Sequence, residues 1–235
     1  MWILVNLVQP VIWLLLFGAL FEAITEVPGF GSDNYIEFLA PGVVMMTAFF
    51  AAGWSGMPML EDLERGVTDR LLVSPVTRSS LIIGRLVQSG LMIVIQTLII
   101  VGLAIATGAE FASGVAGIAV LVALAVLIGS AFGALANGLA LHTRREETLI
   151  ALMQFLMLPL SFVSVIFIQE DLMPSWMQSI AAFNPVNWAV EGGREALAGT
   201  PDWGLVATDA VLLAALVGAS LIFAVRALGA YQRSL

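Results

Sequence analysis

The side chains of this chain that could do chemistry fall mainly in two short clusters. The first is Glu61, Asp62, Glu64, Arg65, Asp69 and Arg70; the second is Glu191, Arg194 and Glu195, with Trp188 close by. Neither is built for covalent catalysis. The chain has no cysteine, which excludes thiol and disulfide chemistry within it. His142 is its one histidine, so no two-histidine metal motif can form. It has no lysine at all. The phosphate-cradling P-loop ends in Gly-Lys-Ser/Thr, and its lysine reaches the outer phosphates. No such loop exists here, so ATP hydrolysis that drives this chain has to come from another chain. What the clusters can do is pair charges, with each other or with a partner, because acids and bases recur at three- and four-residue spacing.

The elements that must position these clusters are long and apolar. The 235 residues are 60% hydrophobic and 11% charged, with a mean hydropathy of +1.01. About a quarter of an ordinary soluble chain is charged. Apolar runs cover 2–21, 37–60, 81–107, 114–141, 148–168 and 204–225. Each approaches the roughly 20 residues needed to cross a bilayer. A signal peptide is the alternative for the first run, but nothing basic precedes Arg65 and the run is long for one. The expected fold is an all-α polytopic membrane protein of six transmembrane helices, a single transmembrane domain over 1–235.

Eight of the nine arginines orient these runs. Arg65, Arg70 and Arg78 lie between the second and third, Arg144 and Arg145 between the fourth and fifth, and Arg226 and Arg233 after the sixth. The other connections, 22–36, 108–113 and 169–203, carry mostly carboxylates, with Arg194 their one arginine. Basic residues in short loops mark the cytoplasmic side. Every second connection is basic, so both termini are expected inside. The net charge of −8 argues against nucleic acid as a partner.

Two connections carry structure of their own. In 60–80, Leu60, Leu63, Val67 and Leu71 recur at helical spacing, and Pro75 ends the pattern. Mixed charge on the other face fits docking to a soluble protein or a solvated linker equally well. In 169–200, Pro174 can start one short helix, Asn184-Pro185 marks a turn, and a second helical pattern runs from Asn187 to Ala198. Two short helices at the outer surface fit this segment, either as part of a transport path or as an interfacial cap. Glu191 is the expected partner of Arg194, three residues apart on one face. Gln96, Asn137 and Gln154 lie at membrane depth, where they either glue helices together or line a path.

At these two segments the chain resembles the type-2 ABC exporter permeases, including the daunorubicin-resistance-like membrane subunits. The first match runs from Glu61 to Arg85, through Gly66, Thr68, Asp69, Leu71-Leu72, Ser74-Pro75-Val76, Arg78 and Gly84-Arg85. The second comprises Pro174-Ser175-Trp176, Asn184-Pro185 and the stretch from Glu191 to Leu197. The resemblance implies a permease subunit in the cytoplasmic (inner) membrane, paired with a second permease subunit as a homodimer. Two separate ATPase subunits would lie beneath it. ATP and magnesium would be held by those subunits, with no cofactor in this chain. The resemblance further implies that 61–76 is a coupling helix, with Glu61, Glu64, Arg65, Asp69 and Arg70 on its charged face. It implies that 174–198 forms outer re-entrant helices, with Trp188, Glu191, Arg194 and Glu195 among their residues. Family members carry an amphipathic helix before the first span, whereas this sequence starts at Met1-Trp2-Ile3. Where that helix is absent, contact with the ATPase rests more heavily on 61–76.

The expected function is export of a hydrophobic or amphiphilic compound (a drug, lipid or glycolipid, as in multidrug efflux) along a path lined by the first, second and fifth spans. Two alternatives belong to other classes. A secondary transporter or channel wants carboxylates at mid-span; none is found there, and Glu22 and Glu37 only border the runs. An intramembrane enzyme wants a nucleophile with a base, or a metal site, and His142 beside Arg144 and Arg145 has no metal partner in its motif. The topology has a direct test, because the chain lacks native cysteine. A cysteine placed at Ser79 is expected to react with an impermeant reagent only after the cells are opened. Labelling in intact cells overturns the assignment.

Overall fold

An apolar chain in an apolar medium has to satisfy its backbone within each segment, and helix does this. The computed structural model describes residues 2–21, 34–68 and 78–233, and among them no strand forms. The helices are α1 (Trp2–Leu20), α2 (Tyr35–Gly53), α3 (Met57–Glu64), α4 (Arg78–Ala106), α5 (Gly114–Thr143), α6 (Glu146–Phe162), α7 (Ser175–Ala181), α8 (Pro185–Leu197) and α9 (Trp203–Gln232). A 3-10 turn at Trp54–Gly56 joins α2 to α3, and another forms at Glu170–Leu172. Among the described residues, four helical stretches are long and apolar enough to cross a membrane: Tyr35–Glu64, Ser79–Ala106, Gly114–Thr143 and Trp203–Gln232.

Three helix starts have a local reason in their caps. Asn34 accepts the Ile36 N–H at 2.9 Å, and Asp202 accepts the Gly204 N–H at 2.8 Å, so α2 and α9 are capped by side chains. Asn184 accepts the Val186 N–H at 2.9 Å, and Pro185 occupies the first turn of α8, where it has no hydrogen bond to lose.

α5 is the hub. It packs against α9, α2, α4 and α8, and buried apolar side chains form one cluster extending from Leu14 to Tyr231. Small residues let neighbours close in, as where Gly133 meets Leu86 and Ser55. Asn137 is wholly buried on α5 and donates to Gly133 O at 2.7 Å and to Ser55 Oγ at 3.4 Å. Of the three membrane-depth amides, Asn137 therefore acts as glue. Gln154 instead lines an apolar cleft with Phe50, Trp54, Met57 and Met153.

Two expected elements differ. The helix over 61–76 is interrupted: Glu61 and Glu64 end α3, which continues the second run, and the chain turns at Gly66. Gly66 has φ +65°, a left-handed conformation that glycine adopts without steric penalty, and its N–H returns to Leu63 O at 3.1 Å. Asp69 and Arg70 lie outside the described residues. The fifth run, expected over 148–168, is helical only to Phe162. Seventeen residues rise about 26 Å at 1.5 Å each, short of the roughly 30 Å hydrocarbon core. Pro159 removes one helical N–H, and the backbone beyond it leaves the helix through 163–169.

The released strand of backbone lies close against α2. A Cβ on Gly42 would come within 2.8 Å of the Ile166 carbonyl oxygen, whereas one on Gly84 would meet nothing within 4 Å. Gly42→Ala is therefore expected to cost about 1–3 kcal/mol, as overpacking does. It should lower the thermal midpoint of the purified chain, while Gly84→Ala leaves it unchanged or raises it. Equal midpoints would contradict this packing.

Candidate functional site

The backbone of 163–169 needs hydrogen-bond partners, and side chains of α8 and its cap supply most of them. Asn184 Nδ2 donates to Leu160 O at 2.7 Å and to Val163 O at 2.5 Å. Asn187 Oδ1 accepts the Val165 N–H at 3.1 Å. Arg194 Nη2 donates to Ile166 O at 2.9 Å. Tyr35, at the start of α2, donates its hydroxyl to Phe167 O at 3.2 Å. Asn184 and Asn187 are each 2% exposed, so their polar atoms have little water to turn to. A buried polar group without a partner costs roughly 2–7 kcal/mol by transfer scales, which makes this set of bonds a condition for the break.

Arg194 joins three elements. Its Nε donates to Phe38 O at 3.0 Å, and its guanidinium lies 3.5 Å from the centre of the Phe38 ring. It thus fastens α8 to α2 as well as to the broken segment. The expected Glu191–Arg194 ion pair is not made at contact distance: the guanidinium donors go to carbonyls, and Glu191 acts on Arg194 only as a nearby charge. The reason is geometric. Both side chains leave the same helix, but the carbonyls of Phe38 and Ile166 lie directly in the path of the arginine.

The other predicted residues of this segment are spread around α8. Glu195 Oε1 accepts the Asp202 N–H at 2.7 Å and so ties the end of α8 to the cap of α9. Trp188 Nε1 donates to Ala182 O at 2.8 Å, holding α7 to α8. Burial pushes the Glu191 carboxyl up to about 7. A hydrogen bond from Asn187 opposes that rise, and the carboxylates of Glu170 and Asp209 add to it. Asp209 was not among the residues the sequence singled out. It sits near the N-terminal end of α9, 6% exposed, with Oδ2 lacking a hydrogen-bond partner. Its position on the second turn of an apolar run was the available signal. Asn187 was likewise legible as an amide on an otherwise apolar helical face.

The first cluster, around α3, lies at the far end of the helices. Pro41 and Met45 of α2 and Leu121 of α5 approach Gly193 of α8, whereas Gly56, which leads into α3, meets Ala136 near the other end of α5. Glu61, Glu64 and Arg65 are exposed. Arg65 Nη2 lies 3.5 Å from Glu61 one turn back, a surface pair worth about 0–1 kcal/mol. Asp62 faces inward and pairs with Arg85 of α4, both partly buried, which anchors α3 to the next helix. Sequence alone counted Asp62 with the solvent-facing charges and gave Arg85 no structural role. No group of three or more histidine, cysteine or acidic residues suited to a metal occurs among the described residues.

Two short helices, α7 and α8, thus lie over the break after α6, with charged groups exposed at the opposite end of the bundle. A family model described as ABC-2 type transporter matches residues 1–198. The chain belongs to the ABC-2 type transporter family. Its relatives agree. A transport permease of Cyanophora paradoxa, ycf38, is 33% identical over 190 residues, covering 79% of this chain and 64% of the relative. The daunorubicin resistance ABC transporter permease protein DrrB1 of Streptomyces coeruleorubidus is 27% identical, over 84% of this chain and 70% of its own length. The inner membrane transport permease YadH of Escherichia coli K12 is 26% identical, over 92% and 85%. The chain thus spans a little under two thirds of the ycf38 relative's length.

In this ABC-2 member, Arg194→Ala removes two charge-assisted hydrogen bonds, each worth about 1.5–3 kcal/mol. It is expected to lower stability and activity well below Arg233→Ala, near the chain end. Exchanging Glu191 and Arg194 is expected not to restore them, because the partner carbonyls stay where they are. Recovery of the Arg194→Ala loss by that swap, measured at matched expression, would show that the pair itself matters.

Proposed function

We propose that this chain is the membrane subunit of an ATP-binding-cassette exporter, and that it moves a hydrophobic or amphiphilic compound across the cytoplasmic membrane. One observation carries the reading: a span broken on one side of the bundle and closed by α7 and α8, with the exposed charges of α3 at the opposite end. In this reading residues 1–235 form a single permease domain of six spans with both termini inside, α1 and α6 being the two short ones. α7 and α8 are outer re-entrant helices. The names of the drug-resistance and transport permeases among its relatives support export, and the apolar surface supports a lipid bilayer as its medium.

The mechanism assigns the work by position. A separate ATPase subunit binds ATP and magnesium and closes on nucleotide. Its closure pushes on Glu61, Glu64 and Arg65, and on Asp69 and Arg70 beyond them. Asp62–Arg85 passes that push to α4, and the Ser55–Asn137 contact passes it to α5. Two permease subunits pair as a homodimer, and the compound moves between them past α1, α2 and α6. ATP can drive that movement only if the compound binds the inward and outward arrangements differently.

A secondary transporter is the competing reading, and Asp209 is the observation in its favour, as a buried carboxylate without a hydrogen-bond partner. Asp209 lies near the outer end of α9, away from mid-span, so it offers no proton relay across the bilayer.

Co-expression with a candidate ATP-binding-cassette ATPase subunit from the same genome tests the proposal. The two proteins are expected to co-purify, with ATPase activity stimulated by amphiphilic compounds. Replacing both Glu64 and Arg65 by alanine should reduce that stimulation at least tenfold and leave the melting profile within error, because exposed charges hold little stability. Full stimulation in the double variant removes α3 from the coupling path.

A further inference from the structure

The ends of α5 and α9 carry basic residues that the fold does not use. Arg145, Arg226 and Arg233 are exposed and make no ion pair or side-chain hydrogen bond among the described residues, and the same holds for His142. The positive-inside rule accounts for their standing at this end of the bundle. It does not account for the way the two helix ends are fastened. Arg144 caps α5 with φ +52°, a left-handed backbone that side chains other than glycine and asparagine rarely adopt. Its N–H returns to Ala140 O at 3.0 Å, and its guanidinium lies 4.7 Å from the centre of the Tyr231 ring near the end of α9. That contact holds the turn after α5 on the end of α9 and keeps the basic groups of both together.

One turn deeper, the groove between the two helices is apolar. The Phe223 ring lies against Gly138, where a Cβ would come within 2.6 Å of it. Ile222 and Phe223 are exposed, and they stand four and three residues before Arg226, so all three share one face of α9. On α5, His142 stands four residues after Gly138 and shares its face. The two contacts, Gly138 with Phe223 and Arg144 with Tyr231, show that α5 and α9 run in the same direction. Arg226 and His142 therefore flank the groove at one level, each about one turn, or roughly 5 Å, beyond the Phe223–Gly138 contact. A basic rim beside an exposed apolar floor matches a charged headgroup with its chain. α5 has no acid, and α9 has none after Asp209. The carboxylates beside Arg145, Glu146 and Glu147, occupy the first turn of α6, where that helix's N–H groups offset them.

We propose that the end of the α5–α9 groove is a binding site for an anionic phospholipid. The phosphate sits between Arg226 and His142, with Arg145 and Arg233 adding positive charge, and an acyl chain runs along Ile222 and Phe223. A zwitterionic headgroup binds more weakly there, because it brings its own cation to a surface that is already positive. Each arginine near the surface strengthens the attraction for an anionic headgroup about fivefold. The site rests on the bilayer as the medium of this chain, and not on the exporter reading.

Native mass spectrometry of the full chain in detergent tests the site, since the number of lipids bound per chain does not depend on which way the chain faces. Phosphatidylglycerol and phosphatidylcholine with the same acyl chains are titrated separately. The first phosphatidylglycerol is expected to bind about tenfold more tightly than phosphatidylcholine. In Arg226→Gln that preference should fall about fivefold, whereas Arg65→Gln, at an exposed arginine after α3, should leave it unchanged. Arg226 is exposed and bonds to nothing among the described residues, so its replacement does not endanger folding. Glycerol phosphate, a headgroup without chains, should not displace the lipid at equal concentration. Equal binding of the two lipids overturns the proposal. So does a preference that survives in Arg226→Gln or falls equally in Arg65→Gln. Displacement by glycerol phosphate would make the groove a site for a soluble phosphate. Loss of ATPase co-purification in Arg226→Gln, with the lipid preference intact, would give it to the ATPase subunit. Either result overturns the lipid site.

Discussion

The structure depends on backbone groups that have nowhere to go but other side chains. Where α6 stops at Phe162, the carbonyls of Leu160, Val163, Ile166 and Phe167 and the N–H of Val165 each find a partner outside the helix ladder. Unpaired groups of this kind are tolerated at membrane depth only where protein satisfies them. That requirement places α8. Asn184, Asn187 and Arg194 sit at spacings of three and seven along it, so all three can face one strip of backbone. Arg194 reaches α2 in addition, and the bareness of Gly42 lets the strip lie flat against that helix. The two short helices α7 and α8 are thus structural members of the bundle.

The opposite end is held by different physics. There the charges of α3 serve two purposes. Asp62 turns inward to Arg85 and fixes the angle of α3 against α4, while Glu61, Glu64 and Arg65 stay exposed. On the proposed reading, this fixed helix with an exposed charged face receives the push of the ATPase subunit and passes it on. Between the two ends runs α5, whose small residues let α2, α4 and α9 approach it closely, with Asn137 reaching across to Ser55. Displacement at one end of such a packed bundle is transmitted to the other through the helices, because close-packed interiors compress little.

Much of this was legible in the sequence. Periodicity and turn residues located the helices, and Pro174 and Asn184-Pro185 marked the two short ones, α7 and α8, within a few residues. The break in α6 was harder to see, since Pro159 alone can kink a helix without ending it, and the groups that stabilise the break lie 20 or more residues away on α8. The same distance hid the partners of Arg194. Local spacing pointed to Glu191, and only the fold brings the carbonyls of Phe38 and Ile166 into reach. Gly66 could be read as a turn residue but was absorbed into an amphipathic pattern that continued through it. Arg85 was hidden for a related reason, because its partner Asp62 stood among charges that do face water.

The central claim is that ATP, hydrolysed by a separate subunit, drives outward movement through this chain. Flux into inside-out vesicles tests it most directly. Vesicles containing this chain and its ATPase should accumulate a fluorescent amphiphile on addition of ATP. Vesicles lacking either protein, or energised only by a proton gradient, should not. Accumulation driven by the proton gradient with this chain alone would contradict the account and identify a secondary transporter in its place.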